Sequence, residues 1–460
     1  MKRAVVALLM MTLLTGCQLK VGVGPDPKQV THPDWMTGGM TTPASVPKPE
    51  HSSSIVEDAP LVAREPMEAW APLEKEYRSL LPGSPSEGTI RGAEGSFASW
   101  AQKEKGTRAH VKLARGHNHV TLKLSSPVAL RGVQGAGIRF QAEDPEAIVS
   151  FSVRYLGSAP NPEDGLLLRT RRVHKGWNVL RDLTSNRLTY PAFFQRSQGI
   201  VLEVKTKRPT RFVIGNAWVE SPAKARILFI EDRGYTTFAQ KGLPDLRALG
   251  IPVTWALDPA LLGTKQGTRL AVIPQRDLRS YLLQGDAISF HSWDGSVTRN
   301  MTRQEILRDT QKAQRFLRRE GLGSGRWRAA WTQNAAKNAK AAFPYLEACA
   351  TPNERASLDG FPFLNRYDVP RVCLHGRSRM FMDVFFQQLR ETHQLLVCYT
   401  HGIHPNGGND ITPTEWNYFT QKLREGLQGG WLEGVTYESL AKEPRYVWPQ
   451  GEDWFSDRSV

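Results

Sequence analysis

The chain has 460 residues, a length that predicts two folded domains. Its 60 Lys and Arg residues outnumber its 45 Asp and Glu residues, and the formal net charge of +15 favours anionic neighbours such as acidic polysaccharide or lipid headgroups. The basic residues are dispersed and form no nucleic-acid-binding motif, so we expect no nucleic-acid partner.

Residues 1–16 resemble the signal peptide of a bacterial lipoprotein. The chain begins with Met-Lys-Arg, residues 4–14 are apolar but too few to cross a bilayer as a permanent helix, and Leu-Thr-Gly-Cys at 14–17 is similar to a lipobox. The resemblance implies cleavage before Cys17, a lipid on that cysteine and a membrane anchor. Gln18, rather than an aspartate, implies the outer membrane of a Gram-negative cell.

Residues 17–59 are predicted to be a disordered tether behind the lipid. The segment is rich in Pro, Gly, Ser and Thr and has almost no apolar periodicity. Such a composition buries too little surface to offset the entropy of ordering the chain. In an extended form, roughly forty residues reach on the order of 100 Å from the membrane.

Residues 60–222 are predicted to form an antiparallel β-sandwich. Residues 120–124 and 149–155 alternate apolar and polar side chains, and further strand-like segments occur at 165–172, 200–206 and 211–219. Many short strands between Gly, Pro and Asn turns are typical of a sandwich. Beside a glycan-active domain, such a sandwich resembles a carbohydrate-binding module. A purely structural spacer is an equal alternative.

Four apolar segments in residues 223–445 each end in a residue suited to acid–base or metal chemistry. Residues 227–230 precede Glu231 and Asp232, 253–257 precede Asp258, 287–290 precede His291, and 395–400 precede His401. Helical segments separate them, which predicts a (β/α) barrel-like domain whose strand ends converge on one site. Alternatively, Glu231 and Asp232 only cap the helix that follows, because an aspartate after a strand is a common N-cap.

The order of these segments resembles the polysaccharide deacetylase family, also called the NodB homology domain. Glu231-Asp232 takes the place of the family's double aspartate, Gly-Ile-Pro-Val-Thr at 250–254 matches its second strand, His-Ser-Trp-Asp at 291–294 matches its third, and His401-Gly402 matches its last. The resemblance spans residues 226–443. Residues 446–460 are assigned to a C-terminal tail.

The resemblance implies a divalent metal, zinc or another transition metal, and an acetylated polysaccharide as substrate. Glu231 is the implied general base, Asp232 and His291 are implied metal ligands, and His401 is implied to protonate the leaving amine. The family's second histidine lies four residues after the first, where this chain has Gly295. Since catalytic zinc usually has three protein ligands, we assign Asp294 as the third. More distant candidates are Asp258 and His404.

An arginine-containing segment at 326–334 is similar to the family loop that orients the base. Within it, Arg328 is assigned to hold Glu231 in its charged form, the alternative being a surface charge. We assign Trp331 and Tyr399 to sugar binding, because aromatic faces stack on pyranose rings. A core position is the alternative for Trp331.

Cys349, Cys373 and Cys398 show no metal-ligand spacing. Cys373 and Cys398 are expected on neighbouring strands, where they form either a disulfide, as an oxidising periplasm permits, or free thiols.

Three functions follow from these motifs, in this order. The first is a membrane-anchored, metal-dependent deacetylase. The second is a catalytically silent, deacetylase-like protein that binds a glycan during export or attachment, which the glycine at the position of the second histidine favours. The third is a metal-free glycoside hydrolase that uses Glu231 with Asp258 or Asp294.

Overall fold

The structure is a computed structural model. It describes residues 77–79, 89–92, 97–103, 106–128, 131–156, 165–170, 173–183, 197–266, 270–296, 300–329, 342–352, 358–361, 363, 366–442 and 453–455. The predicted signal peptide, the tether with Cys17, and Trp331 lie outside these ranges. All described residues belong to one compact unit, Leu61–Val460. No helix within the described ranges has both the length and the apolar character to cross a membrane.

The first part of the described chain consists of strands. They are β1 (Tyr77–Ser79), β2 (Thr89–Gly92), β3 (Phe97–Lys103), β4 (Gly106–Leu113), β5 (Gly116–Val128), β6 (Gly135–Ala142), β7 (Ile148–Leu156), β8 (Gly165–Thr170), β9 (Gly176–Leu183), β10 (Ser197–Thr206) and β11 (Thr210–Glu220).

These strands form two sheets. One has the order β9-β6-β11-β4-β3, with β1 also paired to β11, and the other has the order β2-β5-β10-β7-β8. All of these pairings are antiparallel. Phe140 and Phe212 of the first sheet contact Phe151 of the second, with ring centroids 4.3 Å and 5.0 Å apart. The predicted antiparallel sandwich is therefore confirmed.

The second part alternates strands and helices. Its strands are β12 (Ala225–Arg233), β13 (Val253–Leu257), β14 (Lys265–Gln266), β15 (Leu270–Ala271), β16 (Ala287–Phe290), β17 (Trp327–Arg328), β18 (Ala348–Pro352), β19 (Val369–Cys373), β20 (Leu395–Thr400) and β21 (Leu432–Gly434). Its helices are α1 (Thr236–Lys241), α2 (Leu243–Ala248), α3 (Gln275–Leu283), α4 (Arg303–Arg319), α5 (Arg379–Thr392), α6 (Pro413–Gln428) and α7 (Tyr437–Lys442).

Seven of the described strands close into a parallel barrel. The order is β12-β13-β16-β17-β18-β19-β20, and β20 pairs with β12 to complete the ring. Outside the ring, β21 pairs with the start of β12. Capping boxes begin the two longest helices, at Thr302 with Glu305 for α4 and at Thr412 with Glu415 for α6. The predicted (β/α) barrel is confirmed, and its parallel strands present their carboxyl ends on one face.

The sandwich and the barrel are joined by buried polar contacts. Arg181 of β9 forms two hydrogen bonds of 2.6 Å with Glu220 of β11. Gln134 donates to Glu220 at 3.1 Å and, across the boundary, to the carbonyl of Phe361 at 2.8 Å. His393, at the end of α5, contacts the carbonyl oxygen of Pro222 at 2.8 Å. Because these buried groups satisfy one another, they fix the two parts in one arrangement.

The segment assigned to a C-terminal tail, residues 446–460, contributes a strand to the sandwich. Asp453–Phe455, β22, pairs in parallel with β9 at the edge of the first sheet. A three-residue strand is too short to show an alternating pattern, so the sequence alone gave no sign of it. The sandwich therefore contains strands that precede the barrel in the chain and one strand that follows it.

Candidate functional site

The two acids near the end of β12 lie on opposite faces of the barrel wall. Side chains alternate between the two faces of a strand. Phe229 packs in a cluster with residues of the surrounding helices, whereas Ile230 packs in a second cluster of strand residues inside the barrel. By the same alternation, Glu231 lies on the outer, helix-facing side and Asp232 on the inner side.

Glu231 is fully buried and hydrogen-bonded to the turn that follows its own strand. Its carboxylate accepts the backbone N–H groups of Gly234 at 2.5 Å and Tyr235 at 2.9 Å. Burial raises the pKa of Glu231 well above its ordinary value; the N–H of Tyr235 opposes this effect, and the Asp232 carboxylate adds to it. These contacts give no support to the predicted role of Glu231 as the general base of a shared pocket. They hold the turn before α1 but do not cap the helix, because Gly234 and Tyr235 precede its first residue and α1 has no side-chain cap.

Asp232 lies inside the barrel, where a buried arginine holds it. Nη1 of Arg371, on β19, donates to both Asp232 oxygens at 2.7 Å. The guanidinium also stacks over the ring of Tyr399, 4.0 Å from the ring centroid. The predicted sugar-binding residue Tyr399 is buried and serves instead as a platform for this ion pair.

A second buried carboxylate, Asp258, follows β13 on the same side. Its Oδ1 accepts the backbone N–H of Ser292 at 2.9 Å and the Ser292 hydroxyl at 2.6 Å, and lies 3.5 Å from His291 Nδ1. Its Oδ2 lies 3.7 Å from Arg233 Nε. Burial alone would raise the pKa of Asp258, but His291 and Arg233 hold that pKa below its ordinary value.

His401 follows β20 at the mouth of the barrel, next to the first carboxylate. Its Nε2 lies 3.9 Å from Asp232 Oδ2, and its Nδ1 lies 3.0 Å from the carbonyl oxygen of Asn409. The carbonyl requires a donor, so Nδ1 carries the proton and Nε2 has the free electron pair. Burial lowers the pKa of His401 to about 4, against the opposing effect of Asp232. The imidazole is therefore neutral at physiological pH.

Arg328 lies on the outer side of the barrel wall, away from this mouth. Its neighbour Trp327 belongs to the inner cluster, and Arg328 consequently faces α4. Arg328 Nη1 lies 2.8 Å from Asp309 Oδ2 and donates to the Thr310 hydroxyl at 2.9 Å. The predicted pair between Arg328 and Glu231 is not formed, because the hydrogen bonds of Glu231 come from the turn after β12.

The predicted metal ligands Asp232, His291 and Asp294 are held apart by other partners. Asp294 is exposed, and its Oδ1 accepts the backbone N–H and the hydroxyl of Ser296 at 3.1 Å and 2.5 Å. Asp232 is held by Arg371, and His291 lies beside Asp258. Within the described ranges, no three or more His, Cys, Asp or Glu side chains are grouped to hold a metal ion.

The donor set does not fit the divalent metal that the family resemblance implies. Both oxygens of Asp232 accept from the buried guanidinium of Arg371, so a cation bound to Asp232 would lie beside this fixed positive charge. Arg371 and Arg233 also offset the negative charges of Asp232 and Asp258, the charges that would attract a dication. The predicted metal assignment is corrected on these grounds.

Sequence analysis missed Arg371 and Arg233, the two arginines of the site. A signal for Arg371 was present: a lone charge within Val-Pro-Arg-Val-Cys, residues 369–373, must be buried and therefore needs a buried partner. Arg233 carried no such signal, because alternation places it on the outer side with Glu231. Its position depends on a backbone conformation that the pattern does not encode.

The disulfide alternative is not adopted. All three cysteines within the described ranges are free thiols. Cys373 and Cys398 lie on neighbouring strands, as expected, but Cys398 stands opposite Val372, so the two thiols point to opposite faces of the wall. Instead, Cys373 Sγ lies 2.7 Å from His375 Nδ1.

Solved structures similar to parts of this chain include esterases and carbohydrate-binding modules. A family 4 carbohydrate esterase from Streptomyces lividans, in complex with acetate, is 12% identical, covers 49% of this chain and 99% of its own, and has a TM-score of 0.31. A mutant CE4 family pseudoenzyme with restored enzymatic activity is 13% identical, covers 49% and 71%, and has a TM-score of 0.31. A family 11 carbohydrate-binding module from Clostridium thermocellum, in complex with a β-1,3-1,4-mixed-linked tetrasaccharide, is 11% identical, covers 31% and 95%, and has a TM-score of 0.24. No family model and no curated protein matches the sequence.

Proposed function

We propose that this chain is a metal-independent glycan-binding protein that has the barrel of a deacetylase but not its metal chemistry. One observation carries the proposal: both oxygens of Asp232, the implied metal ligand, accept from the buried guanidinium of Arg371 at 2.7 Å. An ion pair of this kind is costly to break inside a protein, because either partner alone would be an uncompensated buried charge. Asp232 therefore has a structural role in the site, as the partner of Arg371.

Three partly exposed side chains at the mouth of the barrel offer hydrogen bonds to a sugar. The side chains of Arg233, His291 and His401 are 25%, 18% and 20% exposed. The ring of Tyr235 lies beside His401, with centroids 6.5 Å apart. The Tyr235 ring is itself buried, so the polar groups that converge at the mouth, as in a small-ligand site, are the ones that a ligand would meet.

Deacetylation is the second candidate function, and the geometry of His401 favours it. A neutral imidazole with Nδ1 fixed by a carbonyl and Nε2 open is suited to proton transfer. The assigned general base does not lie beside His401, however, because Glu231 faces the helices. The same placement disfavours the glycoside hydrolase, which needs two carboxyl groups on either side of one bond.

Mixing the purified protein with acetylated oligosaccharides distinguishes the two candidate functions. We expect binding by calorimetry, no acetate release, no stoichiometric metal by elemental analysis, and the same affinity after chelation with EDTA. Acetate release that EDTA abolishes and zinc restores would overturn the proposal in favour of the metal-dependent deacetylase. Failure to bind any acetylated or deacetylated glycan would contradict both glycan binding and deacetylation.

We also propose that the protein acts as a lipid-anchored component of the bacterial cell envelope, at the outer membrane. The signal pattern of residues 1–16, the cysteine at its end and the Pro- and Gly-rich segment that follows support this location. The net charge of +15 is consistent with an anionic polysaccharide or anionic headgroups nearby.

A further inference from the structure

Cys373 and His375 form a thiol–imidazole pair at the mouth of the barrel. Cys373 is the last residue of β19, and its Sγ lies 2.7 Å from Nδ1 of His375. The ring of His375 lies beside that of His401, with centroids 6.1 Å apart. Both members of the pair are partly exposed, so a small solute reaches them from solvent. Neither belongs to the predicted catalytic or metal-binding residues.

His375 is a neutral base whose electron pair faces the sulfur. Burial lowers the pKa of His375; the carboxylate of Glu415 opposes this effect, and the guanidinium of Arg377 adds to it. The Asp410 carboxylate also opposes it. The imidazole is therefore neutral at physiological pH, and the thiol donates its proton to Nδ1.

The surroundings of the Cys373 sulfur favour negative charge once its proton has left. Burial raises the pKa of Cys373, and Asp232 adds to this effect, so the thiol is protonated at rest. The backbone N–H of His375, the hydroxyl of Tyr399 and the charge of Arg371 act in the opposite direction. Arg371 lies two residues earlier on the same face of β19, and its buried Nε has no hydrogen-bond partner among the residues that the structure describes. A thiol beside a base and several donors is an activated nucleophile.

The other cysteines that the structure describes lie on the opposite side of the barrel wall. Cys349 and Cys398 belong to the outer, helix-facing cluster and are fully buried, whereas Cys373 packs against the inner cluster. A disulfide between Cys373 and either of them would require the wall to open. An oxidised Cys373 therefore has no partner thiol in the folded barrel among the described residues.

We propose that Cys373 is an oxidation site, at which a hydroperoxide converts the thiol to a sulfenic acid with His375 as the base. The sulfur attacks one peroxide oxygen, so that an S–O bond forms and the O–O bond breaks. The thiol proton passes to Nδ1 of His375 and from there to the departing oxygen, which leaves as water when the oxidant is hydrogen peroxide. Sulfur is oxidised by two electrons and the peroxide is reduced by two. The positive charge of Arg371 stabilises the departing oxygen.

Hydrogen peroxide and dimedone, which traps sulfenic acid, test the site on the full mature chain. Peptide mass spectrometry locates the label. We expect dimedone on Cys373 and none on Cys349 or Cys398, whose side chains are 0% exposed. Labelling of all three cysteines at the same rate, or of none, would refute the site. This result is independent of whether the protein binds a glycan.

His375→Gln removes the base and keeps a polar side chain at the mouth. We expect the rate constant of labelling at about pH 7 to fall about a hundredfold, as for other losses of general-base assistance. His117→Gln, at an exposed histidine on β5 of the sandwich, is the matched control and should react as wild type does. A wild-type rate in His375→Gln would refute the role of His375.

The pH profile of labelling distinguishes a base from a structural neighbour. His375 accepts a proton only when it is neutral, so the wild-type rate should increase as pH rises through the lowered pKa of His375 and then stay level between about pH 7 and pH 8.5. In His375→Gln only the thiolate reacts, and the rate should rise about tenfold for each pH unit over that range, because the pKa of Cys373 is raised. The same tenfold rise in wild type would refute the proposal, and this measurement decides the question should His375→Gln fail to fold.

Discussion

The assignment of Glu231 to the structure of the β12 turn can be tested with Glu231→Gln. Each Glu231 oxygen accepts one backbone N–H, from Gly234 and from Tyr235. Glutamine has a single acceptor oxygen, so its NH₂ group must face one of these N–H donors. A buried donor left without an acceptor costs about 1–3 kcal/mol. We expect this loss in the free energy of unfolding, or a decrease in Tm of roughly 2–4 °C for each kcal/mol.

Urea and thermal unfolding, followed by tryptophan fluorescence, measure the change. Glu425→Gln is the control, because Glu425 is half exposed and its ion pair with Lys422 lies on the surface of α6; it should change stability by less than about 0.5 kcal/mol. If Glu231→Gln is as stable as this control and yet loses a hydrolytic activity present in wild type, the assignment of Glu231 to the turn is refuted and the general-base role is supported.

The difference in stability between wild type and Glu231→Gln should depend on pH in a defined direction. The folded pKa of Glu231 is raised, chiefly by burial, so folding favours the protonated acid. Its contribution to stability is fully present below the ordinary glutamate pKa and decreases as pH rises through the folded pKa. The difference in stability between wild type and Glu231→Gln should therefore be largest at low pH and shrink as pH rises. A constant difference across that range would contradict the raised pKa.

Four other measurements test the remaining assignments. Asp232→Asn leaves Arg371 buried without its counter-charge, and urea unfolding should show a loss of about 3–5 kcal/mol even in the presence of EDTA; an unchanged stability would contradict the ion pair. Burial gives the folded imidazole of His401 a pKa of about 4, so NMR should show it neutral above that pH, and its contribution to stability should be lost as pH falls from about 6.5 towards 4. Cys17→Ser should release the protein from the membrane fraction; retention in the pellet would contradict lipidation. A fragment of residues 60–222 should unfold cooperatively and show a strand-dominated circular dichroism spectrum. A helical spectrum would contradict the prediction that these residues fold independently as a β-sandwich.

The sequence predicted the architecture because architecture depends on hydrophobic periodicity. Alternating segments such as 149–155 marked the sandwich, and four apolar segments with acidic or histidine ends marked the barrel. All four of those ends, at Asp232, Asp258, His291 and His401, do lie on the inner side or at the mouth of the barrel. Applying the same alternation one residue at a time would have separated Glu231 from Asp232.

The ion pairs could not be obtained in this way, because they join residues distant in the chain. Arg371 meets Asp232 across a separation of 139 residues. Arg233 reaches Asp258 only through a left-handed backbone at the end of β12. Periodicity gives the face on which a side chain lies, but it does not give its partner, and the chemistry of this mouth depends on the partners.

The pairing of β22 with β9 means that the barrel is an insertion between strands of a single sheet. The chain leaves the sandwich after β11, forms the barrel, and returns to the same sheet through Asp453–Phe455. The barrel is thus attached to the sandwich at both of its ends. One proteolytic cut between β11 and β12 would leave the two parts connected through β22, whereas a fragment ending at residue 445 would expose the edge of β9 as a template for pairing with a second chain.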